Sequence, residues 1–75
     1  MDFGSRLKKI RLERNMIEYE LAELLNVSDR TISKWEHGIS SPDIISLRNI
    51  VTKLNVSTDY LLGLTDDVEP INKTK

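Results

Sequence analysis

Apolar residues recur along the chain at intervals of three and four, which is the spacing of one face of an α-helix. No stretch shows the strict alternation of apolar and polar residues that a half-buried strand requires. Asparagine or glycine, which tolerate the left-handed conformation that ends many helices, interrupts the pattern at Asn15, Asn26, Gly38, Asn55 and Gly63. The pattern therefore predicts an all-α protein of five short helices.

The predicted helices span about residues 2–14, 18–25, 29–37, 42–54 and 58–62. Ser28 and Ser57 are good N-caps for helices 3 and 5. Ser41 is expected to cap helix 4, with Pro42 at its first position and Asp43 complementing the helix dipole. Helix 4 is expected to turn five apolar side chains inward: Ile44, Leu47, Ile50, Val51 and Leu54.

Helix 3 is predicted to have two different faces. Ile32 and Trp35 lie three residues apart, so they face the same way and are expected in the core. The opposite face carries Arg30, Ser33, Lys34 and His37. A short helix with a buried seam and a basic, polar outer face suits the major groove of DNA.

At these residues the sequence resembles the phage-repressor and Cro type helix-turn-helix family, also called the xenobiotic-response-element family. The resemblance rests on an ordered set: Leu7 to Arg11, Leu21-Ala22, Asn26-Val27-Ser28, Thr31 to Glu36, Gly38, Pro42-Asp43-Ile44, Leu47 and Asp59 to Gly63. It covers roughly residues 2–65 and implies a compact five-helix fold of lambda-repressor-like type. Helices 2 and 3 would form the helix-turn-helix.

Length and composition limit the other possibilities. The 75 residues suit one domain, which we expect over residues 1–65, followed by a polar tail over 66–75. The chain has no cysteine and one histidine, so we expect no disulfide, metal, cofactor or catalytic triad, and no enzyme. No apolar run approaches the ~18 residues of a membrane span, and no signal peptide is seen, so we expect a cytoplasmic protein.

Charge gives a divided indication. The net charge of −1 provides no overall attraction to nucleic acid. Residues 1–15 carry a local charge of +3, but residues 16–27 carry −3. DNA binding must therefore depend on the local arrangement of charge.

Four residues of helix 3 are candidates for base contacts, as the resemblance implies. A guanidinium such as that of Arg30 can bond a guanine edge through two acceptors, although it could also be a solvated surface arginine. Lys34 could reach a guanine or a phosphate, or be simply exposed. Ser33 could touch a base edge or bond the helix backbone. Asp29 could accept from cytosine, or only stabilise the start of the helix.

The resemblance further places six residues near the DNA backbone: Glu18, Ser28, Thr31, His37, Ser40 and Ser41. Most have a structural alternative, such as capping for Ser28 and Ser41 or ending helix 3 for His37. Glu18 stands where the family commonly has a glutamine that donates to phosphate, which a carboxylate cannot do. Ile17, just before it, stands where a hydroxyl or amide cap is usual.

The resemblance also pairs Arg11 with Glu36 in a structural salt bridge that would orient helix 3. The predicted function is a sequence-specific regulator of transcription that binds double-stranded DNA, most simply as a repressor. A homodimer on a palindromic operator is expected, with candidate dimer contacts at Ile39, Leu64, Val68 and Ile71. The alternative is a protein-interaction module of antitoxin or anti-repressor type, and a regulatory protein partner is compatible with both.

Overall fold

A computed structural model describes residues 2–70. Over this range the chain contains no β-strand and is predominantly helical. The helices are α1 Phe3–Glu13, α2 Glu18–Leu25, α3 Asp29–Glu36, α4 Ile44–Leu54 and α5 Thr58–Leu61. The predicted all-α fold of five helices is confirmed. The predicted dimer contact Ile71 lies outside the described residues.

The backbone turns at the five places that the sequence predicts. Asn15, Asn26 and Asn55 have φ angles of 57°, 60° and 55°, and Gly38 and Gly63 have φ angles of 74° and 82°. These are left-handed conformations, which asparagine and glycine adopt at lower cost than other residues. The turns therefore follow from the local sequence.

Side chains at the start of the helices accept hydrogen bonds from the first-turn amides. The Ser28 hydroxyl accepts from the Thr31 amide at 3.1 Å, and the Ser57 hydroxyl accepts from the Tyr60 amide at 3.1 Å. The predicted caps of helices 3 and 5 are thus confirmed. At α1, the Asp2 carboxylate accepts from the first turn in the same way.

The predicted start of helix 4 is wrong. Asp43, and not Ser41, is the N-cap, and its carboxylate accepts from the Ser46 amide at 2.8 Å. Aspartate is as good a cap as serine. Because the cap is Asp43, Pro42 lies before the helix. Helix α4 begins at Ile44, whose side chain is 79% exposed and does not turn inward as predicted.

The core lies where the helices meet: α3 packs against α1 and α2, α1 also packs against α5, and α2 also packs against α4. Its buried apolar side chains are Leu7, Ile10, Leu21, Ala22, Leu25, Ile32, Trp35, Ile50, Leu54, Val56, Tyr60 and Leu61. Trp35 is 5% exposed, which confirms it as a core residue. The Asn49 side-chain amide donates to the Leu25 carbonyl at 3.1 Å and fixes α4 to the end of α2.

The chain after α5 folds back onto the helices. The Ser57 amide donates to the Val68 carbonyl at 2.9 Å, and the Val68 side chain packs against the core. The Arg6 guanidinium donates to the Thr65 carbonyl at 2.7 Å. Val68, a predicted dimer contact, is thus partly buried against the core of its own chain, and its place at a dimer interface stays a prediction.

Candidate nucleic-acid interface

Helix α3 separates a buried face from an exposed face. Ile32 is fully buried and Trp35 nearly so. On the other side Asp29, Arg30 and Lys34 are exposed. The segregation follows from the helical spacing, and it leaves the outer face without a partner among residues 2–70.

The outer face of α3 borders an open depression beside the start of α2. This depression has a volume of about 400 Å³ and is lined by Glu18, Asp29, Arg30, Ser33 and Lys34. The four residues predicted to contact bases therefore line one surface, and Glu18 lines it with them. Two carboxylates beside two cations give the surface a mixed charge.

Arg30 and Lys34 form no ion pair within this surface, although Glu18 and Asp29 lie on it. The two ion pairs of residues 2–70 involve helix α1 and include neither Arg30 nor Lys34. Because both side chains are exposed and unpaired, their charges are available to an anion or to a base edge. A surface of this kind can bind a phosphate backbone and read guanine.

Two hydroxyls at the start of α3 bond to each other. Ser28 Oγ and Thr31 Oγ1 lie 2.9 Å apart, and Ser28 Oγ also accepts from the Thr31 amide. Thr31 is half-buried, whereas Ser28 is exposed. Both hydroxyls thus have the local structural role that the sequence left open, and each retains capacity for one more hydrogen bond.

His37 ends α3. Its Nδ1 lies 2.8 Å from the Ser33 carbonyl and 3.4 Å from the Ser33 hydroxyl. Since a carbonyl can only accept, Nδ1 carries the proton and donates in this bond. The imidazole is exposed, so its Nε2 faces solvent at the edge of the outer face.

The loop after α3 presents two exposed serines. The Ser40 amide donates to the Lys34 carbonyl at 3.4 Å, which holds the loop against the end of α3. Ser41 has no capping role, because Asp43 caps α4. Its hydroxyl is therefore exposed beside the outer face, without the structural role predicted for it.

The start of α2 lacks a side-chain cap. Ile17 occupies the N-cap position, and no side chain accepts from the first-turn amides. The Glu20 carboxylate reaches back to accept from the Ile17 amide at 3.0 Å. The Glu20 amide already donates to the Ile17 carbonyl, so the Glu18 and Tyr19 amides are the first-turn donors that α2 can offer to an anion, next to the carboxylate of Glu18.

The ion pair expected between Arg11 and Glu36 is present. The guanidinium donates through Nε to Oε2 at 2.7 Å and through Nη2 to Oε1 at 3.0 Å. It also donates to the Met16 carbonyl at 2.9 Å. The hydrogen bonds to Glu36 raise the pKa of Arg11 above its ordinary value. The pair fixes the end of α3 to α1.

The profile of the helix-turn-helix family matches residues 7–61. The chain belongs to this helix-turn-helix family. In the solved P22 c2 repressor bound to a synthetic operator, a chain of 28% identity superposes with a TM-score of 0.81, covering 87% of this chain and 98% of the repressor chain. The neighbour supports the predicted lambda-repressor-like fold.

Curated relatives of this helix-turn-helix protein are named as transcriptional regulators. ImmR of Bacillus subtilis (strain 168) is 39% identical over 74 residues, which cover 99% of this chain and 58% of ImmR. The transcriptional activator BcrR of Enterococcus faecalis is 40% identical over 63 residues, covering 84% of this chain and 31% of BcrR. The chain thus spans less than two thirds of these relatives. Within residues 2–70, no helix has the length and apolar character needed to cross a bilayer.

Two residues of this helix-turn-helix protein, Arg6 and Gly4, have structural roles that the pattern of apolar and polar residues does not indicate. Arg6 counts toward the basic charge of residues 1–15, but it is only 7% exposed and is bound to the Tyr60 and Thr65 carbonyls. Gly4 lies in the first turn of α1, where it touches the end of α3. A glycine inside an amphipathic helix is a signal of close packing, and this signal could have identified Gly4.

Proposed function

We propose that this helix-turn-helix protein is a sequence-specific regulator that binds double-stranded DNA, with α3 in the major groove, and that it represses transcription by occupying an operator. The observation that carries the proposal is the outer face of α3, where Arg30 and Lys34 are exposed without ion-pair partners while the opposite face is fixed in the core. A helix that is fixed in the core and presents two cations without ion-pair partners fits a groove lined by base acceptors and phosphates.

Four side chains around the depression would read bases. Arg30 would donate to the two acceptors of a guanine edge, and Lys34 to a guanine or a neighbouring phosphate. Ser33 can donate or accept, and the Asp29 carboxylate would accept from a cytosine amino group. The carboxylate beside the guanidinium would disfavour any register that places Asp29 against a phosphate.

The surrounding groups would hold the DNA backbone. Ser28 and Thr31 have hydroxyl capacity left, whereas His37 would donate to a phosphate from Nε2 only with both ring nitrogens protonated, because Nδ1–H is already bonded to the Ser33 carbonyl. Ser40 and Ser41 are exposed in the loop after α3. Near α2, the Glu18 and Tyr19 amides would bind a phosphate, while the Glu18 carboxylate would weaken that contact through its negative charge.

The regulator would act as a homodimer on a palindromic operator in the cytoplasm. One recognition helix reads too few base pairs for specificity in a genome, and two-fold symmetry doubles the site. Ile39 and Leu64 are 71% and 72% exposed, so both remain candidate dimer contacts. A regulatory protein partner is compatible with the same exposed apolar side chains.

One observation favours a second function. Two of the five basic residues of α1 and its C-cap, Arg6 and Arg11, are buried in structural contacts, so the charge available to DNA is smaller than the sequence suggests. A protein-interaction module with weak DNA binding would have this property. It would show little salt dependence of any residual DNA binding, whereas a regulator should lose ~10-fold or more in affinity between ~50 and ~200 mM salt.

Selection of bound duplexes from a random pool, repeated with Arg30→Ala and Arg30→Lys, tests the proposal. We expect an enriched palindrome, a loss of about 1–3 kcal/mol per half-site for Arg30→Ala, and relaxed preference at one base pair in each half-site. Arg30→Lys should recover part of the affinity but little of the preference, because an ammonium lacks the bidentate fork.

Arg48→Ala is the matched control, since Arg48 is exposed on α4 and does not line the depression on α3. It should leave the base preference unchanged. No enriched sequence for the wild type, with a flat salt response, would favour the interaction module. Uniform loss of affinity in both Arg30 variants, with unchanged preference, would make Arg30 a phosphate contact.

A further inference from the structure

The first turn of α1 meets the last turn of α3 backbone to backbone. A Cβ atom placed on Gly4 would lie 2.5 Å from the Trp35 carbonyl oxygen and 2.6 Å from the Glu36 carbonyl oxygen. Ordinary van der Waals contact begins at 3.4 Å. Any residue larger than glycine would therefore require the backbones of α1 and α3 to move apart by close to 1 Å. The clashing atoms belong to a helix backbone and cannot rotate away as a side-chain tip can.

Helix α1 contacts the same end of α3 at a second point. Arg11 forms its two hydrogen bonds with Glu36, whose side chain is 1% exposed. The two contacts are separated by about two turns of α1. Two separate points of contact restrict the tilt of α3 more than either contact alone would do.

The helix ends also match electrostatically. The start of α1 carries partial positive charge, and the last carbonyls of α3, at Trp35 and Glu36, carry partial negative charge. Close approach at Gly4 strengthens this attraction, because the interaction grows as the separation falls. The lack of a side chain at Gly4 therefore allows the end of α3 to lie closer to α1 than any other residue would permit.

We infer that Gly4 is a positioning residue for DNA reading: its backbone contact with α3 sets the tilt at which Arg30 meets the bases, although Gly4 itself does not contact DNA. The inference rests on the proposed function. Helix α3 is about 12 Å long, so a displacement of about 1 Å at its end corresponds to a rotation of roughly 5–10° about its middle. Bidentate hydrogen bonds tolerate only a few tenths of an ångström.

If Gly4 made no contact with α3, replacing it would have the opposite effect on the stability of the protein. Inside a helix, glycine is less favourable than alanine, so Gly4→Ala without a clash should stabilise the protein. The contact predicts instead a lower Tm and a turned α3. Ser5→Ala is the matched control, because Ser5 is the next residue of the same helical turn and its side chain is exposed.

The test measures the orientation of α3 relative to α1 by residual dipolar couplings of the backbone amides, in wild type, Gly4→Ala and Ser5→Ala, at a temperature well below each Tm. Base preference is then measured by duplex selection. We expect a rotation of roughly 5–10° in Gly4→Ala only. We also expect a loss of about tenfold in affinity for the wild-type operator, concentrated at the base pair that depends on Arg30.

An unchanged orientation would overturn the inference, and so would a turned α3 with unchanged base preference. Should Gly4→Ala not fold, Arg11→Lys weakens the second contact while keeping the charge, and it must alter the same base pair for the inference to hold. Failure of the proposed function is distinguishable, because it would show as no enriched sequence in the wild type. The role of Gly4 in reading DNA would be rejected with it.

Discussion

The tetrapeptide Leu-Asn-Val-Ser occurs twice, and the two copies have the same backbone but different surroundings. We call residues 25–28 the first junction and residues 54–57 the second junction. In both, the asparagine is left-handed, with φ of 60° at Asn26 and 55° at Asn55. In both, the serine caps the next helix with a hydrogen bond of 3.1 Å. Local sequence thus determines the turn and the cap.

The surroundings differ because only the second junction is covered. Val56 is 4% exposed and Ser57 is 5% exposed, whereas Val27 is half-buried and Ser28 is exposed. Residues 65–68, which we call the strap, cover the second junction, and the Val68 carbonyl accepts from the Ser57 amide. The first junction has no such cover among the described residues, and it opens α3 toward solvent.

The same junction sequence therefore has two different roles in this protein. The second junction is covered by the strap, and it starts α5, whose Tyr60 and Leu61 side chains are buried in the core. The first junction is left open, and it starts a helix whose outer face is exposed and can reach a ligand. Substitutions in the strap, or of Arg6, which holds the strap, should therefore change the burial of the second junction first.

Arg6→Ala should have the largest effect. Arg6 donates to the Tyr60 and Thr65 carbonyls at 3.0 and 2.7 Å, and its guanidinium lies 4.5 Å from the centre of the Tyr60 ring. Loss of these contacts should cost about 2–4 kcal/mol in the free energy of unfolding, measured by urea denaturation. The Ser57 amide should also lose protection from hydrogen exchange.

Asp66→Asn is the control for this prediction. Asp66 pairs with Arg6 at 3.0 Å but is 99% exposed, so the change should cost less than about 1 kcal/mol. If Arg6→Ala were no more destabilising than Asp66→Asn, the two carbonyl contacts would not hold the strap, and the burial of the second junction would need another cause.

The two valines provide the next comparison. Val56→Ala removes two methyl groups from the core and should cost about 2–3 kcal/mol, while Val27→Ala, at a half-buried site, should cost about 1 kcal/mol. Chemical denaturation followed by circular dichroism measures both. Equal costs would contradict the burial difference and would mean that the first junction is as tightly packed as the second.

The sequence predicted local features well because their causes are local. The left-handed turns, the serine caps and the buried face of α3 each depend on residues within one or two helical turns. The start of α4 was mistaken since Ser41 and Asp43 are both good caps, and only the reach of Asp43 to the Ser46 amide decides between them. A pattern of residue types does not contain that distance.

Apart from the Arg11–Glu36 pair, which the family resemblance implied, the long-range contacts could not be predicted in this way. Nothing in the local sequence of Val68 or Arg6 shows that the strap returns to α1, although the sequence includes Arg6 in the basic segment of residues 1–15 and offers Val68 as a dimer contact. For the candidate site, spacing alone grouped the outer face of α3. The contact of Gly4 with α3 required the structure, since it depends on the approach of two backbones.

The smallest effect that we expect is a difference in pH dependence between the serine caps of the two junctions and the aspartate caps of α1 and α4. Hydrogen bonds from Ser5 and Ser46, with the backbone amide as the main cause, hold the pKa values of Asp2 and Asp43 below the ordinary aspartate value. A lowered pKa in the folded state means that the cap stabilises the protein above the ordinary pKa. That contribution is lost as the pH falls through the lower, folded value.

Serine does not titrate in this range, so acid should weaken the starts of α1 and α4 before it affects either junction. Carbon-13 titration of the carboxyl groups should give pKa values for Asp2 and Asp43 below that of an ordinary aspartate. Over the same range, the protection factor of the Ser46 amide should fall while that of the Tyr60 amide is retained. Asp43→Asn keeps a good cap without a charge, and should remove the pH dependence at Ser46. A pKa of Asp43 at or above the ordinary value, or parallel loss of protection at Ser46 and Tyr60, would show that the two kinds of cap do not differ.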